Sequence, residues 1–114
     1  SQKNGEKAIR LFNEMYRSNE PVLFILHMIV RQLRNMLNYK VLRLKGYSEG
    51  DVFSKMNLKQ YEYRKVANQS SNFTIPQLER AMFYCLEADK IIKSSSIDDR
   101  LALEILITNL CFKI

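Results

Sequence analysis

The stretch from Pro21 to Leu44 most constrains what this chain can fold into. Its apolar residues recur with the 3.6-residue period of one helix face, held for about six turns or roughly 36 Å. Pro21 suits the first helical position, where its missing N–H costs nothing, and Gly46 suits a left-handed stop. The unbroken apolar run over residues 22–26 predicts that the first turns are covered on more than one side. Such a helix needs other helices packed around it.

Composition predicts one all-α domain. A chain of 114 residues is long enough to bury a core, and its three glycines and two prolines leave little material for hairpins. No apolar run reaches the roughly 18 residues of a membrane span, because Arg31 and Arg34 interrupt the best candidate. We see no signal-peptide pattern. Since the sequence starts with SQKNG and has no initial methionine, we expect a domain excised from a longer chain.

The reactive side chains are few. The formal charge of +6 permits a nucleic acid or an acidic partner but demands neither. Cys85 and Cys111 fall on apolar helix faces, which favours buried thiols in a reducing compartment over a disulfide or a metal site. His27, the single histidine, lies between apolar residues and cannot build the usual His/Cys zinc set. We therefore expect no metal and no cofactor.

Capping signals predict where the later helices begin. A Ser or Thr cap accepts from the backbone N–H three residues on, where an acidic or amide side chain can reach back. This pattern is present in Ser48 with Asp51, Thr74 with Gln77 and Ser96 with Asp99, and Asp98 also suits a helix start. Asn57 suits a left-handed turn residue. Besides the helix over 21–44, the predicted helices run from Ser1 or Asn4 to about 17, and over 49–55, 59–69, 74–93 and 97–112.

The segment 48–69 has the outline of a helix-turn-helix, in which a short helix and a turn precede a basic helix. On this alternative reading the module binds DNA, with Lys59, Arg64 and Lys65 contacting phosphates or bases. Acidic residues such as Glu62 intervene, and many helical domains contain two short helices at this spacing.

Asp89 falls on the apolar stripe of the fifth predicted helix, where a core residue belongs. An unpaired buried carboxylate is costly, so we expect a cationic partner. Arg34 in the long helix lies beside its apolar stripe and is the candidate, which makes the pair an internal brace. Alternatively, Asp89 lies at the edge of the stripe and is solvated.

The last predicted helix is apolar most of the way round. Such a helix is either central or contacts another chain, and we expect both here. The rest of the sequence offers no catalytic constellation, since the serines serve as caps or loop residues and no His–Asp pair is evident to activate one. The residues therefore indicate a structural interaction module and not an enzyme.

Three segments carry a resemblance to a known family. They are RQLRNMLNYKVLRLKGYS, KMNLKQYEYRKVANQSSNF and LEADKIIKSSSIDDRLALEILITNL. In that order and spacing they resemble the C-terminal domain of the δ subunit of bacterial DNA polymerase III, from about Lys7 to Leu110. The chain departs from the family's usual pattern at Ser94–Ser95 and at Gln60, both in turns or helix starts.

The resemblance implies a helical bundle of about five to six helices, the collar domain of the clamp loader. That bacterial cytoplasmic assembly places the β sliding clamp on primed DNA and serves a DNA-directed DNA polymerase, a nucleotidyltransferase. Residues 1–114 would be the third domain of a three-domain δ chain, without the AAA+-like domains. Its partners would be the γ/τ-type ATPase subunits and δ′, with the clamp and DNA reached only through the whole complex and no membrane involved.

We expect helix faces to pack against neighbouring collar domains. The last helix should supply most of this contact, through Leu103, Ile107 and Leu110. Tyr84 and Lys90 on the preceding helix are expected to contribute to the same surface.

Overall fold

The computed structural model describes residues 2–17, 19–94 and 96–114. That part of the chain is all-α, as predicted, and contains no strand. The possible cap at Ser1 lies outside the described residues, and Asn4 lies inside the first helix. The six helices are α1 (Gln2–Tyr16), α2 (Val22–Leu44), α3 (Glu49–Met56), α4 (Gln60–Ser70), α5 (Ile75–Ser94) and α6 (Asp99–Phe112).

Helix α2 is the central element of the fold. It contacts all five other helices. The middle of its apolar stripe is fully buried, as the periodicity predicts, whereas Leu44 at the end of the same stripe is 78% exposed. The stripe consists of Ile25, Leu26, Ile29, Leu33 and Met36.

The start of α2 differs from the prediction in two ways. Pro21 is the residue before the first helical position, with an extended ψ of 149°. Leu23 and Phe24 remain 41% and 49% exposed, so the expectation that the first turns are covered on more than one side is wrong within this chain. Only the side carrying Ile25 and Leu26 is buried by the other helices.

Both predicted left-handed turn residues are confirmed. Gly46 has a φ of 96° after α2, and Asn57 has a φ of 55° after α3. The Ser48 hydroxyl accepts a hydrogen bond from the Asp51 N–H at 3.2 Å, so the predicted cap of α3 is also confirmed.

The predicted capping box at the start of α5 forms in both directions. The Thr74 hydroxyl accepts from the Gln77 N–H at 3.2 Å, and the Gln77 side-chain oxygen accepts from the Thr74 N–H at 2.8 Å. The cap of α6 is different. Asp98, and not Ser96, accepts from the Leu101 N–H at 3.2 Å, so α6 begins two residues later than predicted. A carboxylate at this position also complements the positive end of the helix dipole.

The α5–α6 pair is an antiparallel hairpin. Side chains from the first turns of α5, Gln77 and Arg80, donate to the Ile114 carbonyl at 3.2 and 3.1 Å. On its other side α6 packs against α1, where the Tyr16 hydroxyl donates to Glu104 at 2.7 Å. The Arg100 guanidinium lies 4.7 Å from the centre of the same Tyr16 ring.

Both cysteines are free thiols. Cys85 is buried, and burial raises the pKa of its thiol to about 12. Burial also raises the pKa of the half-buried Cys111. Among the described residues, no helix is long and apolar enough to cross a membrane, and no three His, Cys, Asp or Glu side chains are grouped as metal ligands would be.

Candidate subunit interface

The structure places the three predicted contact residues of α6 in the core. Leu103 and Leu110 are fully buried, and Ile107 is 7% exposed. Their side chains pack inside the domain and cannot reach another chain without unfolding it. The expectation that these three form the subunit contact is therefore wrong as stated. The physical reason is that α6 is apolar on two sides, and α1 and α5 cover the side that carries these residues.

The other side of α6 carries an exposed apolar stripe. Leu101, Ile105 and Phe112 are 48%, 44% and 72% exposed, and Thr108 lies between them. Intervals of four, three and four residues place all four on one helix face. The stripe is thus continuous along the length of α6.

Helix α5, which packs against α6, carries further accessible aromatic side chains. Phe83 is 58% exposed, and its ring meets the half-buried ring of Tyr84 edge-on at 5.8 Å between centroids. Lys90 is exposed, and its Nζ lies 3.8 Å from a carboxylate oxygen of Glu87 on the same helix. Of the residues predicted on α5, both Tyr84 and Lys90 are therefore accessible. We use the name α5–α6 apolar surface for the set Phe83, Tyr84, Leu101, Ile105 and Phe112.

The predicted brace between Arg34 and Asp89 does not form. Asp89 pairs instead with Lys93, one turn further along α5, at 3.0 Å. The Asp89 side chain keeps 29% of its surface exposed, so its desolvation is partial and a second partner is not required. Within the described residues Arg34 makes no ion pair, and its side chain is exposed. The alternative prediction, that Asp89 lies at the edge of the stripe, agrees better with this geometry.

Arg34 and Asp89 nevertheless line one groove between α2 and α5. Apolar side chains form most of its lining, and charged side chains from both helices stand at its rims. We call it the α2–α5 groove. Its lining residues are Leu26, His27, Val30 and Arg34 from α2, and Met82, Cys85, Leu86, Asp89 and Lys93 from α5.

The alternative DNA-contact residues are all accessible. Arg64 and Lys65 lie on the outer face of α4, and Lys59 is exposed immediately before that helix. Tyr61, at 69% exposure, shares the outer face with them. Glu62 lies off this face and pairs with Arg31 of α2 at 3.0 Å.

Sequence reasoning missed one polar cluster, in which the carboxylate of Glu49 joins three helices. It accepts hydrogen bonds from Tyr39 of α2 and Tyr63 of α4. These two bonds lower the pKa of Glu49. Burial, followed by the bond to Glu49, raises the pKa of both tyrosines. No sequence signal indicated this contact, because it needs three helices to meet at one point.

Comparison with known proteins identifies the family. The family model of the DNA polymerase III delta subunit, C-terminal domain, matches residues 1–110. Among solved structures, the DNA clamp loader delta protein (YqeN) of Bacillus subtilis superposes with a TM-score of 0.77 at 19% identity. The match covers 95% of this chain and 36% of that protein, so the chain spans about a third of its length. At this identity the likeness establishes the fold alone.

A search of curated protein sequences found no match. The family model nevertheless spans nearly the whole chain, and the structural match supplies the same fold independently. The resemblance seen in the sequence is thereby confirmed. The chain belongs to the family of the C-terminal domain of the DNA polymerase III delta subunit.

Proposed function

We propose that this chain is the collar domain of a clamp-loader δ subunit and that it joins neighbouring subunits through its α5–α6 apolar surface. The observation that carries the proposal is the exposed stripe of Leu101, Ile105 and Phe112 on a helix whose opposite side is already packed. Membership of the δ C-terminal family supports it. In this role the domain holds the subunits together while the β clamp is loaded onto primed DNA.

The composition of the surface suits a protein contact. Aromatic side chains dominate the energetics of protein interfaces, and Phe83, Tyr84 and Phe112 give the surface three of them. A stable interface buries at least about 1,000 Å² in total, at roughly one half per partner. Three aromatic and two aliphatic anchors at the centre of such a patch would supply its energetic core.

The partners proposed are the γ/τ-type ATPase subunits and δ′. On this proposal the domain has no catalytic role of its own, and it meets the β clamp and DNA only as part of the assembled complex. Residues 1–114 act as a single domain of a longer, three-domain cytoplasmic δ chain, whose other domains contact the clamp.

Mixing experiments by size-exclusion chromatography with light scattering test the proposal. The chain is run alone and with the C-terminal domains of the ATPase and δ′ subunits from the same organism, each at tens of micromolar. We expect a mixed complex that Ile105→Glu and Phe112→Ser each abolish. Leu44→Glu is the matched control, because Leu44 is 78% exposed at the far end of α2 and outside the surface.

Two outcomes would contradict the proposal. In one, the unaltered chain forms no complex with either partner. In the other, Ile105→Glu and Phe112→Ser bind as well as Leu44→Glu does. Circular dichroism of each variant separates a lost contact from a lost fold, since all three positions are at the surface.

A DNA-binding role for α4 is the second candidate. It is favoured by the outer face of α4, where Tyr61, Arg64 and Lys65 are exposed together and the acidic Glu62 is held by Arg31. Such a face would contact phosphates through its cations, so binding should weaken steeply with salt.

Fluorescence anisotropy with a labelled 20-base-pair duplex at 50 and 200 mM salt tests the second candidate. If α4 binds DNA, the double variant Arg64→Gln/Lys65→Gln loses affinity and has a shallower salt dependence. Arg10→Gln/Arg17→Gln removes the same charge from exposed positions on α1 and directly after it, and serves as the control. Equal affinities for the two double variants would rule out a specific role for α4.

A further inference from the structure

We propose that the cleft between α2 and α3 is a binding site for a small nucleotide that ends in a phosphate monoester. The cleft has a volume of about 510 Å³, within the range of about 300–1,000 Å³ that is usual for small-molecule sites. It is separate from the α5–α6 apolar surface and does not depend on the proposed function. We call it the α2–α3 cleft. Its lining residues are Asn35, Asn38, Val41 and Leu42 on α2, Lys45 directly after α2, and Lys55 and Met56 on α3.

The cleft lies in the segment of the chain that carries its entire net charge. From Arg31 to Lys65 there are nine cationic and three anionic side chains, whereas the rest of the chain has nine of each. Two of the three carboxylates in the segment, those of Glu49 and Glu62, pair with arginines. The segment therefore attracts anions.

Lys45 and Lys55 supply the positive charge of the cleft itself. In the part of the chain that the structure describes, neither ammonium group forms an ion pair. No carboxylate lines this cleft, whereas the α2–α5 groove contains Asp89 and a cleft beside α1 contains Glu14. A phosphate monoester carries a charge of about −1.5 to −2 at pH 7. Two ammonium groups match this charge better than they match the single charge of a phosphodiester.

The end of α2 does not oppose an anion in the cleft. The negative end of a helix dipole arises from carbonyl groups that lack a partner. At the end of α2, the carbonyls of residues 41–43 accept hydrogen bonds from the backbone N–H groups of residues 45–47. A helix end contributes about half a negative charge, and Lys45 and Lys55 each contribute a full positive one at the ends of α2 and α3. The cleft therefore remains positive.

Asn35 supplies a hydrogen-bond donor at the opposite end of the cleft. Its side-chain nitrogen is buried and has no partner among the described residues. Asn35, Asn38, Leu42 and Lys45 follow one another at intervals of three, four and three residues, so they share one face of α2. This face extends about 15 Å from the first to the last. Along it lie amide groups, then an apolar stretch, then a cation.

A nucleotide has matching parts in the same order. The edge of its base carries hydrogen-bond acceptors and donors, which asparagine amides recognise in protein–nucleic acid complexes. The faces of the base suit Val41, Leu42 and Met56, which are half-buried. The phosphate would lie at Lys45 and Lys55. Because no Cys, Ser, His, Asp or Glu lines the cleft, the nucleotide is bound there and not converted.

Isothermal titration calorimetry of the chain at 150 mM salt tests the inference with four probes, which are AMP, GMP, adenosine and inorganic phosphate. We expect AMP or GMP to bind with one-to-one stoichiometry. Its affinity should exceed those for adenosine and inorganic phosphate by at least about tenfold, because each of these two engages only one end of the cleft. The nucleotide should also slow amide hydrogen exchange in α3, since it joins this short helix to α2.

Single substitutions separate the two ends of the cleft. Lys45→Gln and Lys55→Gln should each weaken nucleotide binding by at least about tenfold, as expected for the loss of a hydrogen bond to a charged group. Asn35→Leu should weaken nucleotide binding by about fivefold and leave the affinity for inorganic phosphate unchanged. Lys65→Gln removes the same charge from the outer face of α4 and is the control. Thermal unfolding of every variant verifies that the fold is retained.

Three outcomes would overturn the inference. In the first, AMP and GMP bind no more tightly than inorganic phosphate. In the second, Lys45→Gln and Lys55→Gln bind the nucleotide as well as Lys65→Gln does, so the site lies elsewhere. In the third, a short single-stranded oligonucleotide without a terminal phosphate binds as tightly as the nucleotide and loses affinity in the same variants. The cleft would then contact nucleic acid and would not be a nucleotide site.

Discussion

The Tyr63 hydroxyl of α4 donates a hydrogen bond to the carboxylate of Glu49, in the first turn of α3. Tyr39 of α2 donates to the same carboxylate, and its ring meets that of Tyr63 at 5.8 Å between centroids. Phe53 belongs to α3, and the centroid of its ring lies 5.1 Å from that of Tyr63. Because α3 has eight residues and, in the part of the chain that the structure describes, contacts only α2 and α4, this cluster holds the short helix in place.

Removing the Tyr63 hydroxyl should destabilise the domain. Tyr63→Phe keeps the ring contacts and deletes one hydrogen bond to a charged acceptor, which costs about 1–2 kcal/mol of unfolding free energy. Urea unfolding followed by circular dichroism measures the difference. Tyr61→Phe is the control, since Tyr61 is 69% exposed and should change stability by less than about 0.5 kcal/mol. Equal effects of the two substitutions would contradict the role given to the cluster.

The same cluster predicts a dependence on pH. The pKa of Glu49 is lower in the folded chain than in the unfolded one, so its contribution is present above the unfolded pKa of about 4.3 and is lost as the pH falls through the folded pKa. We therefore expect the stability advantage over Glu49→Gln to shrink on acidification from about pH 6 to below about pH 4. Its size should be a few tenths of a kcal/mol, because the Glu49 side chain is 55% exposed. If the stability advantage of the unaltered chain over Glu49→Gln instead grew on acidification, the prediction of a lowered Glu49 pKa would be contradicted.

The cap of α6 predicts unequal effects for two neighbouring residues. Asp98→Ala removes the acceptor of the Leu101 N–H and should cost about 1 kcal/mol. Ser96→Ala should cost little, because Ser96 lies outside the helix. Chemical denaturation of both variants measures the difference. A larger loss of stability for Ser96→Ala than for Asp98→Ala would contradict the observed cap and support Ser96, the cap predicted from the sequence.

Two leucines of α6 that are two residues apart should respond very differently to truncation. Leu103→Ala leaves a cavity in the core and should cost about 3 kcal/mol. Leu101→Ala removes a side chain that is 48% exposed and should change stability by less than about 0.5 kcal/mol. The free energies of unfolding of the two variants provide the measurement. Similar losses would mean that the core face of α6 is assigned wrongly.

Asn35 offers a stabilising substitution. Its side-chain nitrogen is buried and has no hydrogen-bond partner among the described residues. An unsatisfied buried donor costs about 1–3 kcal/mol, so Asn35→Leu, which is close in shape and apolar, should raise the unfolding free energy by about 1 kcal/mol. Asn38→Leu at an exposed position one turn away controls for general effects of leucine on helix propensity. A loss of stability in Asn35→Leu would indicate that the amide is satisfied.

Much of the fold could be predicted because its signals are local. The period of α2, the Ser48 and Thr74 caps and the left-handed Gly46 each depend on residues within about one turn of each other. The choice between Leu101 and Leu103 is different. Both belong to an apolar helix, and only the packing of α1 and α5 decides which of them is buried.

The polar contacts were the least predictable part. Asp89 had two cations within plausible reach, and the one on its own helix, Lys93, forms the pair. The register between two helices decides whether Arg34 can compete, and a sequence does not contain that register. The Tyr39–Glu49–Tyr63 cluster needs three helices to meet at one point, so no spacing along the chain could have established it.

The central position of α2 has a consequence for the exchange of amide hydrogens with solvent. Because α2 contacts every other helix, its middle turns around Ile29 and Leu33 cannot open without disrupting the whole core. Their amides should exchange only through global unfolding and report its full free energy. The amides of α3, which contacts two helices, should exchange faster through local opening. The slowest amides of this domain will therefore form one continuous segment in the middle of the chain's longest helix.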